Sequence, residues 1–154
     1  FVPNLFATYA HSENALGNYL SLSNAKTSLK AKEKEAVNLA VSQVNNCIYC
    51  LSAHTAIAKM NGFTDEQILE LRAGKASFNE KLDALASLAK NITENRGATD
   101  EQVVADFFAA GWTKENLIDT IVLVGDKTIT NYIHRTTKVP VDFPEAQPLE
   151  GVKA

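Results

Sequence analysis

The chain is poor in sulfur, in aromatic residues and in long apolar runs. It has two Cys, one Met and one Trp among 154 residues. Two cysteines are too few for a disulfide-stapled secreted scaffold. A bridge between Cys47 and Cys50 would close so short a loop that little chain entropy is at stake, so stabilisation does not explain the pair. No apolar stretch approaches the roughly 18 to 20 residues of a membrane span, so none is expected. Basic charge is also short. Fifteen Lys and Arg stand against eighteen Asp and Glu, a net charge of -3, and the cations are scattered, which excludes the footprint of a nucleic-acid binder. Residues Phe1 to Ala10 lack the charged start and apolar stretch of a signal peptide, which makes a cytoplasmic location the expectation. Nothing alternates with period two for long, so no sheet is expected.

What is present repeats with the period of a helix. With 45% apolar residues, the chain can bury one real core, and the reading is a single all-α domain of about six to eight helices. Ser12 can cap a helix carrying Ala15, Leu16, Tyr19 and Leu20. A second helix runs from Ala31 to about Val44, with Ala36, Val37, Ala40, Val41 and Val44 on one stripe. After Asn45 and Asn46 a third starts at about Cys47 and stops at Gly62, which can take a left-handed cap. Thr-Asp-Glu-Gln occurs at 64–67 and again at 99–102, and each copy reads as a capping box opening a short helix. Leu82 to Ile92 forms one more. The longest helix, from about Lys114 to Arg135, carries Leu117, Ile118, Ile121, Val122, Val124, Ile129 and Ile133, and is expected at the centre of the core. Pro140, Pro144 and Pro148 divide the chain into a helical domain, 1–137, and a C-terminal tail, 138–154, whose Val141 and Phe143 should pack against the domain or a neighbouring subunit.

The cysteines carry the chemistry. On a helix starting near Cys47, Cys50 lies one turn in and His54 is four residues further, so all three share a face. Thiols of Cys-x-x-Cys pairs ionise readily, a histidine one turn away can take a thiol proton, and the second thiol can resolve an oxidised one as a disulfide. If helices 31–45 and 47–61 are antiparallel, Glu35 sits roughly 15 Å back from the turn and His54 roughly 12 Å beyond it. The carboxylate would then orient the imidazole and raise its pKa. Glu35 shares its face with Asn38 and Ser42, a polar strip suited to lining a site. Other readings are a buried structural thiol pair, a zinc site completed by His11 or His134, and a plain core histidine at His54. His134 and Tyr132 near the end of the last helix, and Trp112 as an anchor, suggest packing more than chemistry.

Glu35, eleven intervening residues, then Cys47-x-x-Cys50-x-x-x-His54 resembles the signature of the alkylhydroperoxidase D-like branch of the carboxymuconolactone decarboxylase superfamily. The stretches "PNLF", "LKAKEKEAVNLAVSQVNNCIYCLSAH" and "NYIHRTTKVPVDFP" look like its peroxidase-related members. The resemblance implies an all-α fold assembled into homo-oligomers, often trimers or hexamers, and thiol-dependent reduction of hydroperoxides. By it Cys50 attacks the peroxide, His54 takes the proton, Glu35 supports the histidine and Cys47 resolves. No bound cofactor or metal is implied; the electrons come from an external dithiol donor protein, with a lipoyl-type dithiol as candidate. One departure is Tyr49, which stands where the best-studied branch has a histidine. The alternatives are a redox-responsive structural or sensor oligomer without turnover, and a decarboxylase-like activity, against which the cysteine pair argues.

Overall fold

The computed structural model describes residues 1–150. The described residues hold eight α-helices: α1 Asn4–Tyr9, α2 Glu13–Ser23, α3 Ala31–Val44, α4 Ile48–Met60, α5 Asp65–Arg72, α6 Glu80–Glu94, α7 Glu101–Ala109 and α8 Lys114–Thr137. No strand occurs among them, in line with the all-α expectation.

Helix α3 is the hub. Ala36, Val37, Leu39, Ala40 and Val41 are fully buried, because α4, α5, α6 and α8 all pack around it. Small and β-branched side chains on so many faces let four neighbours approach closely. Amphipathic α6 lays Leu82, Leu85, Ala86, Leu88, Ala89 and Ile92 against the same core. Phe107 of α7 closes it, stacked on Trp112 with ring centroids 5.6 Å apart. The Trp112 indole N–H donates to the Lys81 carbonyl at 2.9 Å, so Trp112 is an anchor. Full burial of each large apolar side chain contributes roughly 1.5–3 kcal/mol.

The helix starts follow local chemistry. Ser12 accepts the Ala15 amide, and Thr64 and Gln67 form the expected capping box. The second copy does not form one. Asp100 caps α7 by accepting the Gln102 amide at 2.7 Å, and the Gln102 side chain turns to Asp106. An ionised carboxylate one residue on outcompetes the Thr99 hydroxyl for the positive helix end. Gly62 closes the turn after α4 with φ +87°, a conformation strained for other residues. Helix α1 is too short to show a period; its N-terminus is held by tertiary contact, Asn4 N–H donating to Asp142 Oδ2 at 2.7 Å.

Helix α8 corrects the expected core face. Ile118 is 59% exposed and Tyr132 60%, and Ile121, Val122 and Ile129 also face outward. The buried stripe is largely polar: Thr120, Asp126, Lys127, Thr130, Asn131 and His134 beside Val124. Hydropathy misleads here because this helix borders a polar site on its inner side. Its outer apolar side is left without cover by the described residues.

A second, smaller apolar cluster gathers Leu5, Tyr9, Tyr19, Cys47, Tyr49 and Cys50, with Val139, Val141 and Phe143 of the tail packed against it. The tail is further tied by Arg72 Nη1 donating to the Gln147 carbonyl at 2.7 Å and by the Ala146 amide donating to Ser52 Oγ at 3.0 Å. The last tail residues, 151–154, lie outside the described residues.

Candidate active site

Helices α3 and α4 meet through a tight turn in which Asn46 takes a positive φ of 50°. Cys47 then caps α4 and does not begin it: its Sγ accepts the Cys50 amide at 3.3 Å. The capping thiol occupies the place of a Ser or Asp cap. Cys50 sits in the first turn and His54 one turn later, so α4 carries the three-residue set. The antiparallel return of α3 brings Glu35 to it. His54 Nδ1–H donates to Glu35 Oε2 at 2.8 Å, and Asn38 Nδ2 donates to Oε1 at 3.1 Å. Both carboxylate oxygens are thus engaged on a residue only 5% exposed. The structure brings all four expected residues, Cys47, Cys50, His54 and Glu35, into one neighbourhood.

Their electrostatics differ from simple expectation. Glu35 is held below the usual carboxylate range: burial opposes its charge, but the adjacent His54 and the bonds from His54 and Asn38 outweigh it. The His54 pKa is lowered, not raised as expected. Burial is the main cause, Lys127 adds to it, and together they exceed the pull of Glu35. With Nδ1 committed as donor to a carboxylate, a neutral His54 presents Nε2 as the basic nitrogen. The two thiols are driven apart. The hydrogen bond from Cys47 lowers Cys50 to about 7 against its burial, with help from Lys127, Asn131 and Thr130. Cys47 is pushed up by donating that bond and by burial. Position nearest the helix end therefore does not make Cys47 the readier thiolate. A charge-assisted bond outweighs a terminal dipole worth about 0.3–1 kcal/mol. Both cysteines are free thiols.

Cys50 and His54 open on a cavity of about 230 Å³ that Phe6, Tyr19, Tyr49, Lys127 and Phe143 also line. Tyr49 does not stand in for a relay histidine. Its hydroxyl donates to Asp142 Oδ1 at 2.6 Å and accepts the Leu5 amide at 3.3 Å, pinning the tail and α1 over the cysteines. Lys127, Thr130 and Asn131 of α8 escape sequence reasoning. The signal was present in the i, i+3, i+4 spacing of Asp126, Lys127, Thr130, Asn131 and His134, a polar stripe as regular as the apolar one. Asn131 ties α8 to α3 by donating to Ser42 Oγ at 3.1 Å. His134 is buried against the Tyr49 ring. Among the described residues no group of three or more His, Cys, Asp or Glu is placed to hold a metal ion, and no helix is long and apolar enough to cross a membrane.

Comparison with known proteins agrees with this fold. The model of the carboxymuconolactone decarboxylase family matches residues 10–91. No curated protein matches significantly. Among solved structures, the fold is similar to an uncharacterised peroxidase-related protein with an alkylhydroperoxidase AhpD core from Ralstonia eutropha JMP134 (TM-score 0.80, 21% identity, covering 94% of this chain and 78% of that one). An uncharacterised peroxidase-related protein from Silicibacter sp. TM1040 is similar (TM-score 0.78, 20% identity, 98% and 80% covered). So is the debrominase Bmp8 in complex with 2,3,4-tribromopyrrole (TM-score 0.78, 15% identity, 92% and 78% covered).

Proposed function

The chain belongs to the carboxymuconolactone decarboxylase family, and we propose that it is a thiol-dependent peroxidase working through the Cys47/Cys50 pair. The observation that carries the reading is geometric: Cys50, and not Cys47, lines the cavity beside a histidine that Glu35 orients, and burial of its thiol is offset so that its pKa is lowered. His54 Nε2 takes the Cys50 proton. The thiolate attacks the distal oxygen of a hydroperoxide, the O–O bond breaks, and the leaving alkoxide receives the proton from His54 as an alcohol. Cys50 is then a sulfenic acid. Cys47 attacks its sulfur, water leaves, and a Cys47–Cys50 disulfide forms. An external dithiol donor, for which a lipoyl-type dithiol is the candidate, reduces the disulfide and is itself oxidised. The sum is one hydroperoxide and one dithiol converted to alcohol, water and disulfide. A general base in this position contributes roughly 10²–10⁴ in rate.

The outward apolar side of α8 supports a homo-oligomer, since Ile118, Ile121, Val122 and Ile129 are exposed together on one helix and clustered exposed apolar residues mark interaction surfaces. The testing experiment is steady-state consumption of hydroperoxide with dihydrolipoamide or another dithiol, on wild type, Cys50→Ser and Cys47→Ser. Sustained turnover that needs both cysteines supports the enzyme. Oxidation of the pair without turnover, with every donor, assigns it to a redox-responsive oligomer instead. Sustained turnover that survives in both variants rejects the thiol cycle.

A further inference from the structure

Lys127 moves no proton or electron in the cycle above, yet it stands beside the site. The residue is 7% exposed, and its side chain forms no ion pair among the described residues. Buried lysines are ordinarily paired. It lines the same cavity as Cys50 and His54, and its positive field reaches Cys50, Glu35 and His54 alike. Glu35 is not its direct partner: the carboxylate meets His54 and Asn38 and makes no ion pair with Lys127. Most of the remaining wall is apolar or aromatic, including Leu5, Phe6, Ile57 and Phe143 with Tyr19 and Tyr49, and Ser23 and Thr130 add two hydroxyls. Both tyrosine hydroxyls stay neutral, their pKa values pushed up chiefly by burial. A cavity of about 230 Å³ is below the usual range for drug-sized ligands. It suits a body the size of one ring with short substituents.

We propose that Lys127 sets the substrate class of this site: small organic hydroperoxides that carry a carboxylate on an aromatic or branched aliphatic body, the carboxylate pairing with Lys127 while the peroxide faces Cys50. This rests on the thiol-peroxidase reading for its chemistry but not for its binding, and the two can be tested apart. Anion binding also accounts for a cavity-lining lysine without an ion pair, since the substrate supplies the missing partner. The competing explanation is that Lys127 only favours the Cys50 thiolate. That effect would act equally on every peroxide, so a ratio between substrates separates the two.

The experiment has two arms. The first measures kcat/KM for cumene hydroperoxide and for its para-carboxylate, with wild type, Lys127→Met and Lys127→Arg. The carboxylate should be preferred about tenfold or more by wild type, the ratio should fall to about one in Lys127→Met, and Lys127→Arg should keep most of it. The second arm titrates the unreactive 4-isopropylbenzoate and 4-isopropylbenzyl alcohol into the reduced protein, followed by NMR, with the same expected order. No preference in wild type overturns the proposal even if Lys127→Met fails to fold. A preference that survives Lys127→Met in folded protein also overturns it, as does a rate loss shared equally by both peroxides. If neither peroxide turns over but the benzoate still binds preferentially through Lys127, the anion site stands and the peroxidase reading falls.

Discussion

Replacing Cys47 by Ala tests why Cys50 is acidic. The largest cause of its low pKa is the hydrogen bond from the Cys47 thiol, which overcomes the burial of Cys50 and lowers it from 9.0 to about 7. A shift of that size is worth roughly 3 kcal/mol. Alanine removes the donor and leaves burial unopposed, so the Cys50 pKa should return to about 9 or above. Serine keeps a donor in the same place and should leave the pKa near its original value. At pH 7 the thiolate fraction then falls from about one half to about one hundredth in the alanine variant, roughly fiftyfold. The more basic thiolate is roughly six- to tenfold more nucleophilic in disulfide exchange. The net expectation is exchange about five- to eightfold slower at neutral pH and faster than wild type above about pH 9. Stopped-flow exchange with a small aromatic disulfide, run from about pH 5 to about pH 10, reads both midpoint and plateau. Stability gives an independent check. A thiol with a depressed folded pKa adds stability as pH rises from about 7 towards about 9, and the alanine variant should lose that rise. A midpoint near 7 in Cys47→Ala would refute the reasoning and leave the helix terminus or Lys127 as the cause.

Glu35→Gln keeps an acceptor for His54 Nδ1–H but removes the charge that stabilises the imidazolium; kcat/KM for hydroperoxide should fall about 10- to 100-fold, with melting temperature little changed. The depressed pKa of His54 means that it contributes stability above its ordinary value near 6.5, lost as pH falls below that value. His54→Asn should therefore flatten urea-measured stability across the first units of acidification, where wild type declines. Tyr49→Phe leaves Asp142 and the Leu5 amide without the hydroxyl they share; about 1–3 kcal/mol of stability should be lost. Hydrogen exchange should show the loss as faster exchange in α1 and around residue 142. Ile121→Glu places a charge on the outward stripe of α8, and light scattering should show the homo-oligomer replaced by a smaller species that keeps its helical content.

The helices were legible because each has a local cause. Ser12 and Thr64 announce starts, Gly62 a stop, and α3 and α6 carry clean apolar stripes. The site was legible for a similar reason: Cys47 caps the helix that carries Cys50 and His54, and Glu35 reaches them from the helix joined by a three-residue connection. What escaped depends on contacts distant in sequence. Helix α1 owes its anchor to Asp142, some 138 residues away. The inner face of α8 is polar because Lys127, Thr130 and Asn131 border the site, so hydropathy pointed to the wrong side. Which thiol opens on the cavity, Cys50 and not Cys47, is likewise not revealed by sequence position at a helix end. The second Thr-Asp-Glu-Gln box failed because Thr99 and Asp100 compete for the same amides, and the carboxylate wins.

The central claim is that Cys50 meets the peroxide and Cys47 resolves it. Intact-protein mass spectrometry after one equivalent of hydroperoxide, without reductant, tests it most directly. Wild type should lose two hydrogens, as a Cys47–Cys50 disulfide. Cys47→Ser should gain one oxygen, located at residue 50 by a sulfenic-acid trap, and Cys50→Ser should remain unmodified. An oxygen found on Cys47 in Cys50→Ser, with Cys47→Ser inert, would contradict the account and reverse the roles of the two thiols.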